Sequence, residues 1–130
     1  MEIKQEEINL ENLEVGEDVP QMGAKMIEVM ELKQEPVNKD GKLIGNKLKL
    51  MVKHPDATDL IEISGVKYTS KDKIKTSGLW IKLDKDRKLP YKSAVASLLR
   101  HFGISKVAGL KGAKLPTIED DNGYLAIKAY

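Results

Sequence analysis

Cysteine is absent from the 130 residues, which rules out disulfides, thiolate nucleophiles and zinc–thiolate centres. Histidine is nearly absent: His54 and His101 are the only two, so a zinc site would need carboxylates for most of its ligands. Aromatic residues make up 5%, with one Trp, one Phe and four Tyr, little material for a long stacking platform. No apolar run is long enough to cross a bilayer, and Met1-Glu2-Ile3-Lys4 does not open a signal peptide. A cytoplasmic protein with no membrane partner is expected. Phosphate-loop chemistry is missing as well. Gly109-Leu110-Lys111-Gly112 is too short, and Ser64-Gly65 lacks the Lys-Ser/Thr that must come after it. No nucleophile stands near a base in a recognisable pattern. The expectation is a binding protein, not an enzyme, with no cofactor and no metal.

Lysine and glutamate are abundant, a bias compatible with a thermophilic source. The net charge of +2 conceals an asymmetry. Residues 1–35 carry three lysines against ten carboxylates, a net of −7. Residues 36–115 carry eighteen Lys/Arg against seven carboxylates, a net of +11, and residues 116–130 return −2. A basic centre behind an acidic leader suits a polyanion-binding surface; solvated lysines on an ordinary soluble domain would give the same numbers.

Residues 1–20 read as an acidic leader and residues 21–130 as one domain. The leader's apolar residues (Ile3, Ile8, Leu10, Leu13, Val15) allow a short helix or strand packed on the body, or a disordered arm. The body reads as strands. Residues 24–33 alternate imperfectly, which predicts a bulge or a curved strand. Asp40-Gly41 is a turn signal, and Lys47–Lys53 alternates cleanly with Leu48, Leu50 and Val52 inward. His54-Pro55-Asp56 ends that strand as a turn with an exposed histidine. Thr58–Ile63 is a third strand, and residues 64–77 a long loop or ragged hairpin. In 79–83, Leu79, Ile81 and Leu83 point inward, which sends Trp80 and Lys82 the other way. A turn over 84–88 comes next.

One helix is expected between Ser93 as N-cap and Gly103 as C-terminal stop, with Val95, Leu98, Leu99 and Phe102 on one stripe. Strand 113–119, an Asp120–Gly123 hairpin and a final strand with Leu125 and Ile127 inward close the chain. One helix among strands excludes a doubly wound α/β fold. The order is that of an all-β fold, a β-barrel with one α-helix: the five-stranded Greek-key barrel of the OB type.

The C-terminal stretch also resembles OB-fold domains of single-strand-binding and replication-accessory proteins. The resemblance rests on the helix Ser93–Gly103, the element Leu110-Lys111-Gly112, and a strand, an Asn122-Gly123 turn and a final alternating strand within Leu115–Tyr130. At the front, the acidic leader with Val15-Gly16 and a lysine-flanked hairpin are similar too. The resemblance implies the OB fold and single-stranded nucleic acid as partner. The same fold hosts protein-interaction modules, so a subunit of a replication or repair assembly, docked through the acidic leader, is the alternative.

Single-strand binding needs cations along the phosphates and flat rings for the bases. Lys47, Lys49 and Lys53 form a row on the polar face of their strand. Lys71, Lys73 and Lys75 crowd the next loop around Tyr68. Lys82 and Arg87 lie further on, with Trp80 on the lysine side and Tyr91 beside them. These residues are the expected interface. Trp80 has two readings, base stacking or a secondary core under the long loop. Tyr124, Tyr130 and Phe102 read as packing residues, His101 as a surface or half-buried residue, and Glu119-Asp120-Asp121 as a hairpin turn, not a cation loop.

Overall fold

A long antiparallel hairpin organises the chain. Strands β1 (Ile27–Lys39) and β2 (Lys42–Lys53) pair from Glu28↔Lys53 to Lys39↔Lys42 around Asp40-Gly41. Both turn residues have positive φ, 53° and 78°, the geometry that matches the twist of paired strands. The computed structural model describes residues 10–15 and 23–130.

The imperfect alternation in β1 has a local cause. Val29 pairs with Val52 and Glu31 with Met51, so Met30 is an extra residue bulged out of the ladder. A second irregularity lies opposite: Val37 pairs with Gly45 and Asn38 with Leu43, which leaves Ile44 bulged from β2. β1 runs further than residues 24–33 suggest, and through Pro36. Proline is accepted there because the far edge of β1 is paired only at Ile27 and Glu28. On β2, Leu48, Leu50 and Val52 are buried, as their alternation predicts.

His54 departs from expectation. It is buried, 1% exposed, not displayed on a turn. Its Nε2 lies 2.8 Å from the Gly23 carbonyl, and its Nδ1 accepts from the Asp56 N–H at 3.0 Å. A ring that accepts at Nδ1 carries its proton at Nε2 and donates it to Gly23, so a neutral imidazole satisfies both partners. Lys25 adds an ion pair to Asp56 at 2.7 Å, and the Lys25 carbonyl accepts from Thr117 Oγ1 at 2.6 Å. The entry strand is thereby tied to the turn after β2. Within the leader, residues 10–15 form a 3-10 turn (Leu10–Asn12) and an extension that leaves Leu10, Leu13 and Val15 exposed rather than packed. The rest of the leader lies outside the described residues.

The segment expected as a loop or ragged hairpin is a regular one. Strand β3 (Ile61–Ile63) pairs with β2, and β4 (Gly65–Ser70) continues beyond Ser64 to pair with β5 (Lys73–Gly78). β6 (Trp80–Ile81) then returns to β2 at Asn46 and Lys47. Leu79 is fully buried and Ile81 packs against the core, but Leu83 is 48% exposed, contrary to expectation, because the ladder ends at Ile81.

Helix α1 (Ala94–His101) begins where Ser93 Oγ accepts from the Ala96 N–H at 3.2 Å, and stops at Gly103, φ 67°. Val95, Leu98 and Leu99 enter the core, and Phe102 packs at its margin. Strand 113–119 is split by Pro116 into β7 (Lys114–Leu115), paired with β1, and β8 (Thr117–Glu119), paired with β9 (Leu125–Ala129). β9 runs parallel to β4, Val66 opposite Ile127. Ile127 is buried and Leu125 packs on the core; Ala126 and Ala129 are buried as well, so β9 is covered on both faces. Among the described residues the fold is all-β with one α-helix, its sheets curled into a half-barrel around Val29, Leu50, Val66, Leu79, Leu98 and Ile127. No described helix is long and apolar enough to cross a membrane.

Two loops share one design. Asp84 Oδ1 accepts from the N–H groups of Asp86 and Lys88, and Asp120 Oδ1 from those of Asn122 and Tyr124. Each loop needs a positive φ at its fourth residue. That is Gly123 (81°) in one and Arg87 (59°) in the other. The left-handed region costs a non-glycine residue ~1–2 kcal/mol. Arg87→Gly is therefore expected to stabilise the domain by about 1 kcal/mol, after the entropy glycine adds to the unfolded chain. Urea unfolding checks it, and a destabilised variant would show the arginine to be anchored elsewhere.

Candidate nucleic-acid interface

Trp80 stands directly across from Lys47 in the β2–β6 ladder, so both side chains leave the same face. The Lys47 ammonium sits 5.7 Å from the ring centroid, within cation–π range. Two glycines make room. A Cβ on Gly45 would lie 3.4 Å from the Trp80 ring; a Cβ on Gly78 would lie 2.7 Å from Lys47 Cε and 3.1 Å from Trp80 Nε1. Gly45, at φ 156°, directly follows the bulged Ile44. Trp80 is half-buried and lies outside the main core cluster.

A groove of about 410 Å³ opens beside the ring, lined by Ile44, Ser77, Gly78, Trp80, Lys82, Pro90, Ser93 and Ala94. A second, about 640 Å³, adjoins it through Ser77 and Gly78 and is lined by Lys47, Glu62, Asp120, Tyr124 and their neighbours. Tyr124 is 72% exposed at its edge, so its expected packing role is overturned: the residue falls just before β9 and clears the sheet. Tyr130 is half-buried, with the Lys128 ammonium 5.2 Å from its ring.

The expected interface residues therefore divide. Trp80, Lys47 and Lys82 come together. Lys71, Lys73 and Lys75 are exposed on the β4–β5 hairpin that leads to Gly78. Lys53 is exposed but ends β2, about 20 Å along the strand from Lys47 at ~3.4 Å per residue. Arg87 is exposed on its strained turn. Tyr68 is drawn away: it packs against the core and lines a separate cavity with Arg100, His101 and Tyr130. His101 itself is exposed. Tyr91 is exposed, but the Arg100 guanidinium covers its ring at 3.7 Å and donates to its carbonyl.

Lys49 is not a free cation. Glu35 reaches it diagonally from β1, and Glu62 from β3 at 2.9 Å. Those carboxylates raise its pKa above the ordinary 10.5. His54 offers no metal ligand, since both ring nitrogens are engaged. Ile44, Gly45, Gly78, Pro90 and Tyr124 were not expected in the site. Only Gly45 and Gly78 carried a signal, each as an isolated glycine beside a strand pattern.

The raised Lys49 pKa fixes the sign of a pH effect. The pairing is fully present below pH 10.5 and is lost as pH rises through the raised value. The stability gap between the natural chain and Lys49→Gln should thus hold at neutral pH and narrow above 10.5 in denaturant titrations; a constant gap would contradict the pairing. Gly78→Ala should leave stability within about 0.5 kcal/mol, because the far end of Lys47 can swing aside. It should also shift the emission of the lone tryptophan, and unchanged emission would mean that Gly78 does not set the Lys47–Trp80 contact. Compared with known proteins, the chain matches no family model, no curated protein and no solved structure.

Proposed function

We propose that this chain is a non-catalytic, cytoplasmic domain of the OB type that binds single-stranded nucleic acid, DNA in the first instance. The strand pairing supports the barrel. Residues 61–70, broken at Ser64, act as a third strand, residues 114–119, broken at Pro116, as a fourth, and β9 as a fifth. The third and fifth run parallel, and the fourth returns to the first at Ile27↔Leu115. With α1 between the third and fourth, that is the order of a five-stranded Greek key. β5 and β6 are then an insertion that fills the wall between β2 and β4.

The observation that carries the binding reading is Trp80: a surface ring beside a lysine, flanked by two glycines, where two grooves meet. One base stacks on the free area of that ring and a neighbouring base reaches Tyr124. Lys47, Lys82 and the β5 lysines track the phosphates. Of the two carboxylates of the second groove, Glu62 shares Lys49 with Glu35, and Asp120 is held by backbone N–H groups of its own turn.

A labelled oligo-dT titrated at several salt concentrations tests this. Contact with three phosphates gives a log–log slope of about −2, at ~0.7 per phosphate for single strands. Tryptophan emission should quench on binding. Trp80→Ala should weaken binding roughly fivefold or more, since stacking contributes ~1–3 kcal/mol per base, and should leave the fold intact. A flat salt response, or no binding at low salt, would sink the proposal.

A further inference from the structure

A third groove, of about 550 Å³, lies between α1 and the segment immediately after it. Its apolar walls are Leu89, Ala96, Leu99, Ile104 and Val107, and Lys88, Arg100 and Lys106 stand among them; no carboxylate lines it. Single-strand binding at Trp80 makes no use of this face, and an occupant of the groove is independent of it.

We propose that this groove is the docking site of the chain's own leader, the stretch Leu10–Val15. That stretch is its complement in two respects. Leu10, Leu13 and Val15 are 76%, 63% and 99% exposed, three large apolar side chains within six residues. The 3-10 turn Leu10–Asn12 is closed by the Leu13 N–H, which donates to the Leu10 carbonyl at 3.4 Å and so keeps the two leucines one turn apart. Covering an exposed apolar edge of that kind is favourable. The charges are opposite as well. Glu14 stands between Leu13 and Val15, in a leader whose sequence is strongly acidic, and the groove supplies only cations. Arg100 is already held in place by Tyr91 and Ser97, so it presents a fixed charge rather than a mobile one.

The tether favours the chain's own leader over another protein. Gly23 is held by His54, and eight residue steps separate it from Val15. At ~3.3–3.6 Å per residue they span up to roughly 28 Å. A domain of this length has a radius of gyration of about 14 Å, so a tether of that span lets the leader sweep the nearer part of its surface, not all of it. Intramolecular attachment also raises the effective concentration to the millimolar range, on the order expected for short linkers, which lets a short contact suffice.

The absence of cysteine makes the test clean. Asn12→Cys creates a single attachment point for a nitroxide on the full chain, and the broadening of amide resonances maps where the leader rests. The expected result is a loss of more than half the intensity at Ala96, Leu99, Ile104 and Val107. That loss should be reversed when Leu10→Asp and Leu13→Asp are added, and reduced at high salt. Broadening confined to the Trp80 groove would overturn the proposal, as would uniform weak broadening. So would an effect that passes from spin-labelled chains to isotope-labelled, nitroxide-free chains in a mixture, because it would make a second copy the occupant.

Discussion

Leu79 joins the two sheets through its backbone. Its N–H donates to the Ser64 carbonyl at 2.9 Å, and its carbonyl accepts from the Leu48 N–H at 2.7 Å. The side chain is fully buried. An unpaired amide at such a depth costs about 1–3 kcal/mol, so both bonds are required once the leucine is inside. They dictate the rest. The strand that pairs with β4 must leave it at Gly78 and enter the β2 ladder at Trp80. With Leu79 turned into the core, the next side chain faces out, against Lys47. The candidate interface is thus a consequence of one buried residue crossing from sheet to sheet.

Charge decides what that surface can hold. The basic centre of the chain is a sum over lysines with different fates. Lys49 is neutralised by two glutamates, Lys67 lies 4.0 Å from Asp121, and Lys47 is drawn over an aromatic ring. The cations with solvent around them include those on the β4–β5 hairpin, Lys82 and Arg87. Arg100, meanwhile, belongs to the opposite side of the helix and to the apolar groove there. Two faces of different character result: one with a half-buried tryptophan ring and lysines, one apolar with a cationic rim.

Local signals in the sequence were reliable where one force dominates. Period-two alternation placed Leu48, Leu50 and Val52 inward, and the i, i+3, i+4 stripe placed Val95, Leu98 and Leu99. Ser93, Gly103, Asp40-Gly41 and Asp120–Gly123 marked their cap, stop and turns. Even the irregular pattern near Met30 was a true report of a bulge. The failures share a cause. His54, Leu83 and Tyr124 each sit at the end of an element or on a face whose cover comes from far along the chain. The partner of His54 is Gly23, 31 residues away.

The amino-acid sequence by itself determined an all-β chain with one helix, its turns, and the inward side of most strands, because backbone preference and hydrophobic period act over a few neighbouring residues. Which lysines are free, which aromatic rings face solvent and where the grooves run were decided only by the tertiary structure. Those properties depend on diagonal neighbours in adjacent strands, such as Glu35 and Glu62 about Lys49, and on the glycines that let Trp80 lie beside Lys47. Such contacts arise from register and from the crossing at Leu79, neither of which any local stretch of the chain encodes.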